Sequence, residues 1–173
     1  MAGSLIKISE TTVSSAVSSV TLTGIDSTYD VYMVRINNCI PVTDTTFLSL
    51  RVTESDTPNT TANYDGAGKL VRADTSFTNA DGTNLTSLFL LANNTGTGTG
   101  EQVNLVNYIF NANNSSEFTF FTTESSFLEN SGNLNGLQGG GVFTSASSVN
   151  GVQYFFASGN IASGTFTLYA LKK

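Results

Sequence analysis

The sequence predicts an all-β fold: a single antiparallel β-sandwich, jelly-roll-like, of about eight to ten strands. Three observations carry this. Short runs with apolar residues at every second position recur along the chain. Gly- and Asn-rich turns separate those runs. Solubility is carried by Ser, Thr, Asn and Gly, because charged residues make up only 12% of the chain. The 173 residues suit one domain, 1–173, which can bury roughly 70% of its unfolded surface. A different Greek-key sandwich is the second choice.

The clearest periodicity is in Gly151 to Leu171, GVQYFFASGNIASGTFTLYAL. Val152, Tyr154 and Phe156 alternate with Gln153 and Phe155, and Phe166, Leu168 and Ala170 alternate with Thr165, Thr167 and Tyr169. These runs make either a β-hairpin or two strands of one sandwich joined by a longer loop. A final strand this apolar is expected to be covered on both faces.

Leu5 to Ile8 reads as a first strand, Thr11 to Ser19 as extended, and Val20 to Ile25 as a second strand before an Asp26-Ser27-Thr28 turn. Tyr29 to Ile36, apolar on both faces, reads as an interior strand, followed by a turn marked by Pro41 and Asp44. Phe47 to Val52 alternates, with Leu48, Leu50 and Val52 inward and Ser49 and Arg51 outward. From Glu54 to Gly82 the pattern fades into a long connection, with room for a helical turn in Tyr64 to Val71.

Leu85 to Ala92 is the next strand and Asn93 to Gly100, NNTGTGTG, a flexible surface loop. Val103 to Phe110 and Phe118 to Thr123 are strands, and Phe127 to Gly136 is irregular. In Leu137 to Phe143, Gly139-Gly140-Gly141 suggests that another backbone approaches closely. Phe120 and Phe156 are expected inside.

Composition excludes several functions. The net charge is −6 and the seven basic residues are scattered, so no phosphate-tracking stripe forms and neither nucleic acid nor an anionic membrane is an expected partner. Met1-Ala2-Gly3-Ser4 leads into SLIKIS without an apolar signal region, which predicts synthesis in a cytoplasm. No apolar run approaches the roughly 20 residues of a membrane span. The single cysteine, Cys39 beside Ile40, reads as a small buried hydrophobe in preference to a reactive thiol.

No histidine is present, which removes Ser-His-Asp and Cys-His catalysis and the usual zinc sites. Gly96 to Gly100 lacks the Lys and Ser/Thr of a phosphate-binding loop. Glu124 with Glu129, or Glu101 with Glu117, are the pairs that would flank a glycosidic bond, but solvated turn carboxylates are the simpler reading. The aspartates sit near turns without an Asp-x-Asp-x-Asp loop, so no calcium site or other cofactor is expected. Asn59-Thr60-Thr61, Asn84-Leu85-Thr86 and Asn93-Asn94-Thr95 read as polar turns.

The opening segment, residues 5–52, carries Tyr29-Asp30 before a buried strand, Pro41-Val42-Thr43-Asp44 as a turn, and Leu48-Ser49-Leu50-Arg51 as a strand. Tyr64-Asp65-Gly66-Ala67 follows, and the chain closes with SGNIASGTFTLYAL, with Ala170 where a Gly is usual. These features resemble small β-sandwich virion proteins of tailed bacteriophages. The resemblance covers roughly residues 5–72 and 150–171, and 73–149 matches nothing nameable. It implies a structural component of the virion, a tail-fibre or tail-associated protein or a capsid surface protein. A homotrimer or other cyclic oligomer, contacting other virion proteins and assembled in the host cytoplasm, is the implied state.

The expected function is therefore a non-enzymatic structural protein that self-associates and docks on the capsid or tail. The alternative is a carbohydrate-binding module that recognises a host-surface glycan, and a glycan-degrading enzyme ranks below both. Aromatic residues exceed what one core face needs, so Tyr154, Phe155 and Tyr169 are the candidate subunit contacts. The candidate recognition loop carries Tyr64, Asn93 and Asn94.

Overall fold

Apolar side chains at alternate positions have only one way to leave water together, which is to line one face of a pleated strand that packs on a second sheet. A computed structural model describes residues 4–74 and 77–172, and in it this patterning produces thirteen strands. They are β1 (Leu5–Val13), β2 (Val20–Thr23), β3 (Val31–Pro41), β4 (Thr46–Glu54), β5 (Thr57–Pro58), β6 (Tyr64–Arg72) and β7 (Thr78–Leu85). Then follow β8 (Leu88–Thr95), β9 (Val103–Phe110), β10 (Thr119–Leu128), β11 (Leu134–Phe143), β12 (Gly151–Phe156) and β13 (Ile161–Leu171).

Two antiparallel sheets result. The large one has eight strands in the order β1-β13-β3-β9-β10-β11-β6-β7. The small one runs β2-β12-β4-β5, with β8 also paired to β4. The first four strands alternate between the sheets, and so do β12 and β13. The closing pair is therefore not a hairpin: it crosses from the small sheet to the large one.

The core lies between the sheets. The large sheet contributes Tyr32, Val34 and Ile36 from β3 and Phe166, Leu168 and Ala170 from β13, all buried. The small sheet answers with Leu48, Leu50 and Val52 from β4 and Val152, Tyr154 and Phe156 from β12. Cys39 is fully buried among them, and desolvation pushes its thiol up to about 12, so it is a poor nucleophile at neutral pH. The other face of β13 carries Thr165, Thr167 and Tyr169 and has no layer over it; Thr167 is shaded by Glu10, which accepts its hydroxyl at 3.0 Å.

Three tyrosines tie the layers together through their hydroxyls. Tyr154 of β12 donates to Asn107 Oδ1 of β9 at 3.2 Å, and Asn107 Nδ2 donates to Thr123 Oγ1 of β10 at 2.8 Å. Tyr64 of β6 accepts the Val52 N–H of β4 at 3.1 Å and donates to the Asn59 carbonyl at 2.9 Å. Tyr32 of β3 donates to the Asp26 carboxylate beyond β2 at 2.9 Å. Burial pushes all three phenols up, Tyr32 to about 12. A buried hydroxyl must find a partner, so each ring fixes the offset of one sheet against the other.

Several expectations are corrected. The segment from Glu54 to Gly82 is not a long connection but holds β5, β6 and the start of β7, which raises the strand number above the expected range; Thr75 and Ser76 of that segment, like Met1 to Gly3 at the start, lie outside the described residues. Tyr64 to Val71 forms strand β6, with no helical turn. Its glycines hide the pattern: a Cβ on Gly139 would stand 2.7 Å from the Ala67 carbonyl oxygen, and one on Gly68 2.9 Å from that of Gln138. The expected close approach at Gly139 is thus that of β6. Asn93 to Thr95 belong to β8, so the surface loop starts later. Phe127 to Gly136 is half strand, the end of β10 and the start of β11, around a turn at 129–133. Phe120 points outward, 47% exposed, because the pleat turns Thr119, Phe121 and Thr123 inward. Ser49 faces away from the core yet is buried.

Replacing Tyr154 with Phe leaves Asn107 Oδ1 without its donor in a dry interior. The expected cost is about 1–3 kcal/mol, read as a lower urea midpoint with an unchanged slope.

Candidate functional site

A sheet has two faces, and the small sheet covers only one face of the large one. On the uncovered face the register aligns outward side chains into rows that cross the strands. Chain alternation separates successive rows by two residues, and antiparallel pairing sets each row's membership.

The first row is apolar. Val31, Phe110, Phe120 and Val142 are consecutive cross-strand partners, and Leu5 pairs with Leu171 at the same level on the β1 side. The second row runs Tyr169, Met33, Tyr108, Thr122, Gly140, with Lys7 opposite Tyr169 at its edge. The third row alternates in charge. Glu10 and Arg35 flank Thr167, Arg35 and Glu124 flank Val106, and Glu124 and Lys69 flank Gln138. The fourth row is polar, with Asn37, Asn104, Ser126 and Gly136 leading to Val71.

A hollow of about 670 Å³ lies across the third and fourth rows, lined in part by Arg35, Asn37, Asn104, Val106, Glu124 and Gln138. The Arg35 guanidinium stands 5.7 Å from the centre of the Tyr169 ring, a cation–π contact. Lys69 Nζ donates to Asn79 Oδ1 at 2.5 Å. Phe120 and Tyr108 expose 47% and 37% of their surface here.

The structure scatters the residues singled out from the sequence. Tyr169 lies on this open face. Phe155 lies on the outer face of the small sheet, under the Arg51 guanidinium at 4.3 Å. Tyr154 is wholly buried and bonded inside the core, so it has no surface to offer a subunit. Tyr64 is likewise fully buried and cannot serve an exposed loop. Its strand position and its bond to Val52 put the ring between the sheets, packed at 4.9 Å against the Phe143 ring and tilted 41° to it. Asn93 and Asn94 are half-buried in β8, and Asn94 adopts a left-handed φ of 50°.

The carboxylate pairs do not converge. Glu101 accepts the Gly98 N–H at 2.6 Å at one end of the β9–β10 hairpin, whereas Glu117 precedes β10 at the other end. Glu124 stands on the open face. Glu129 is buried beyond the end of β10 and takes the Arg72 guanidinium at 2.6 Å. Among the described residues no group of three or more Cys, Asp and Glu side chains is arranged to hold a metal ion.

Glu129 anchors a clasp that sequence reading missed. Its carboxylate also accepts Ser131 Oγ at 2.6 Å and the amides of Asn133 and Asn135, each at 3.1 Å. Burial pulls its pKa upward, but the hydrogen bonds from Ser131, Asn133 and Asn135 and the charge of Arg72 outweigh burial and hold it below its ordinary value. The only sequence signal was the density of Ser and Asn after Glu129, which also marks any turn.

A lowered carboxylate pKa contributes stability that is present above the unfolded value of 4.5 and lost as pH falls through the folded value. Glu129→Gln should therefore be less stable than the parent at neutral pH. The gap should narrow as pH falls below 4.5, measured as urea midpoints across the acid range.

No protein-family model matches the chain, and no curated protein or solved structure matches it either.

Proposed function

We propose that this chain is a non-enzymatic structural protein that associates with copies of itself through the open face of its large sheet, as a surface component of a tailed-phage virion. The observation that carries the self-association is the apolar first row. Val31, Phe110, Phe120 and Val142 run unbroken across four strands on a face that no other layer covers. Contiguous apolar surface of this kind marks an interaction site on a soluble domain. The low charge content supports the same reading, since interface cores are depleted in Lys, Glu and Asp. The virion assignment rests on the resemblance of residues 5–72 and 150–171 and on nothing in the geometry.

Light scattering should return a whole-number multiple of the chain mass at micromolar concentration, and mass spectrometry of gradient-purified particles should find the chain in them. A monomer at tens of micromolar would remove the self-association, and absence from particles would remove the virion assignment.

A second reading has its own observation. The hollow holds Tyr108 close by and lines up a guanidinium, carboxamides and a carboxylate at Arg35, Asn37, Asn104, Gln138 and Glu124, the planar polar groups and ring that grip a sugar. Under this reading a glycan array gives signal that Tyr108→Ala reduces about tenfold; a blank array removes it.

A further inference from the structure

We infer that the face is an isologous interface in which a second copy packs on it about a two-fold axis running along β9. This rests on the self-association proposed above and names its geometry.

The charged row carries the argument. Counted across the large sheet from β1, the strands bearing Glu10, Arg35, Glu124 and Lys69 are the first, third, fifth and seventh, and β9 is the fourth. The signs therefore run minus, plus, minus, plus, symmetrically placed about Val106 of β9. A two-fold axis in the plane of the interface and along β9 exchanges the first strand with the seventh and the third with the fifth. Glu10 then faces Lys69 of the second copy, and Arg35 faces Glu124, each pair occurring twice. An axis along β3 sets Arg35 on Arg35 and Glu10 on Glu124. One along β10 sets Glu124 on Glu124 and Arg35 on Lys69. Both alternatives oppose like charges, and an axis along β13 or β11 pairs only two of the four charges, so β9, which pairs all four, fits the row best.

Within one copy these four charges stay apart from one another, Glu10 pairing instead with Lys7 at 3.6 Å. Arg35 and Glu124 are two strand spacings apart, about 10 Å, with Val106 between them. The Glu124 carboxylate makes no side-chain hydrogen bond or ion pair among the described residues. A copy across the axis supplies the missing partner.

The neighbouring rows fit the same operation. In the second row the exchange places Tyr169 over Gly140 and Met33 over Thr122, large on small, and Tyr108 meets its own copy on the axis. In the apolar row Val31 meets Phe120, Leu171 meets Val142 and Phe110 meets itself, and at the rim Leu5 meets Asp65. Packed sheets cross at about 30°, so contacts beside the axis are closest and the outer pair is reached by the long Lys69 side chain. The seven strands the axis overlays, β1 to β6 in the sheet order, at about 4.8 Å, and four rows at about 6.7 Å give a face of roughly 900 Å² per copy, near the roughly 800 Å² per partner of a stable complex.

The test reads association by sedimentation or light scattering. Glu124→Lys, which by symmetry creates two like-charge contacts, should raise the dissociation constant about a hundredfold. Lys69→Glu should raise it less. Arg35→Glu combined with Glu124→Arg should return it to within about tenfold of the parent. Tyr108→Cys should join two chains through a short bis-maleimide, since Cys39 is buried, whereas Thr21→Cys on the small sheet should not. A parent that is monomeric overturns self-association altogether. A parent that associates while Glu124→Lys leaves its affinity unchanged and Tyr108→Cys stays unlinked overturns this face alone, as does an assembly with an odd number of chains.

Discussion

A single buried hydrogen bond crosses the middle of the sandwich, from the Tyr154 hydroxyl to the Asn107 side chain. Asn107 is fully buried on β9, in the middle of the large sheet, and hands the contact on to β10 through Thr123. Apolar packing would tolerate many offsets between two sheets; an isolated pair of polar groups in a dry interior tolerates few. Tyr64 and Tyr32 repeat the device towards the two sides of the molecule. Together they decide which small-sheet residue stands over which large-sheet residue.

With the inner face settled, the pleat leaves no freedom on the outer one. Every residue that faces the core forces its neighbours into water, so the same register that buries Ile36, Leu105, Thr123 and Leu137 displays Arg35, Val106, Glu124 and Gln138. The rows on the open face are thus a by-product of how the core is locked. The Glu129 clasp guards one end of this arrangement, closing the turn between β10 and β11 with charge-assisted bonds.

Much of the fold was legible locally. Phe47 to Val52, Val103 to Phe110 and the closing runs show their alternation openly, because β-branched and large apolar residues mark the buried face. Strand β6 was not legible: YDGAGKLVR puts glycine where the core residue should be, since β11 lies too close for a side chain. Phe120 and Phe121 are adjacent and equally apolar, and only the pairing with β9 and β11 tells which one turns inward. Tyr64 and Tyr154 carry hydroxyls that sequence reading places at a surface; their buried partners, Val52 and Asn107, are remote in the chain. The rows were wholly invisible, because a row collects one residue from each of many strands and exists only once the register does.

Strand order in space differs from strand order in time. In the large sheet β13 lies between β1 and β3 and pairs with both along most of its length. Strand β1 therefore has no partner in this sheet until residues up to Leu171 have left the ribosome. Until then β1 and one side of β3 are open edges, able to pair with any strand that passes. Such a chain closes late and all at once, through contacts of long sequence separation, while the Lys, Ser, Glu and Thr residues of β1 keep that waiting edge poorly adhesive.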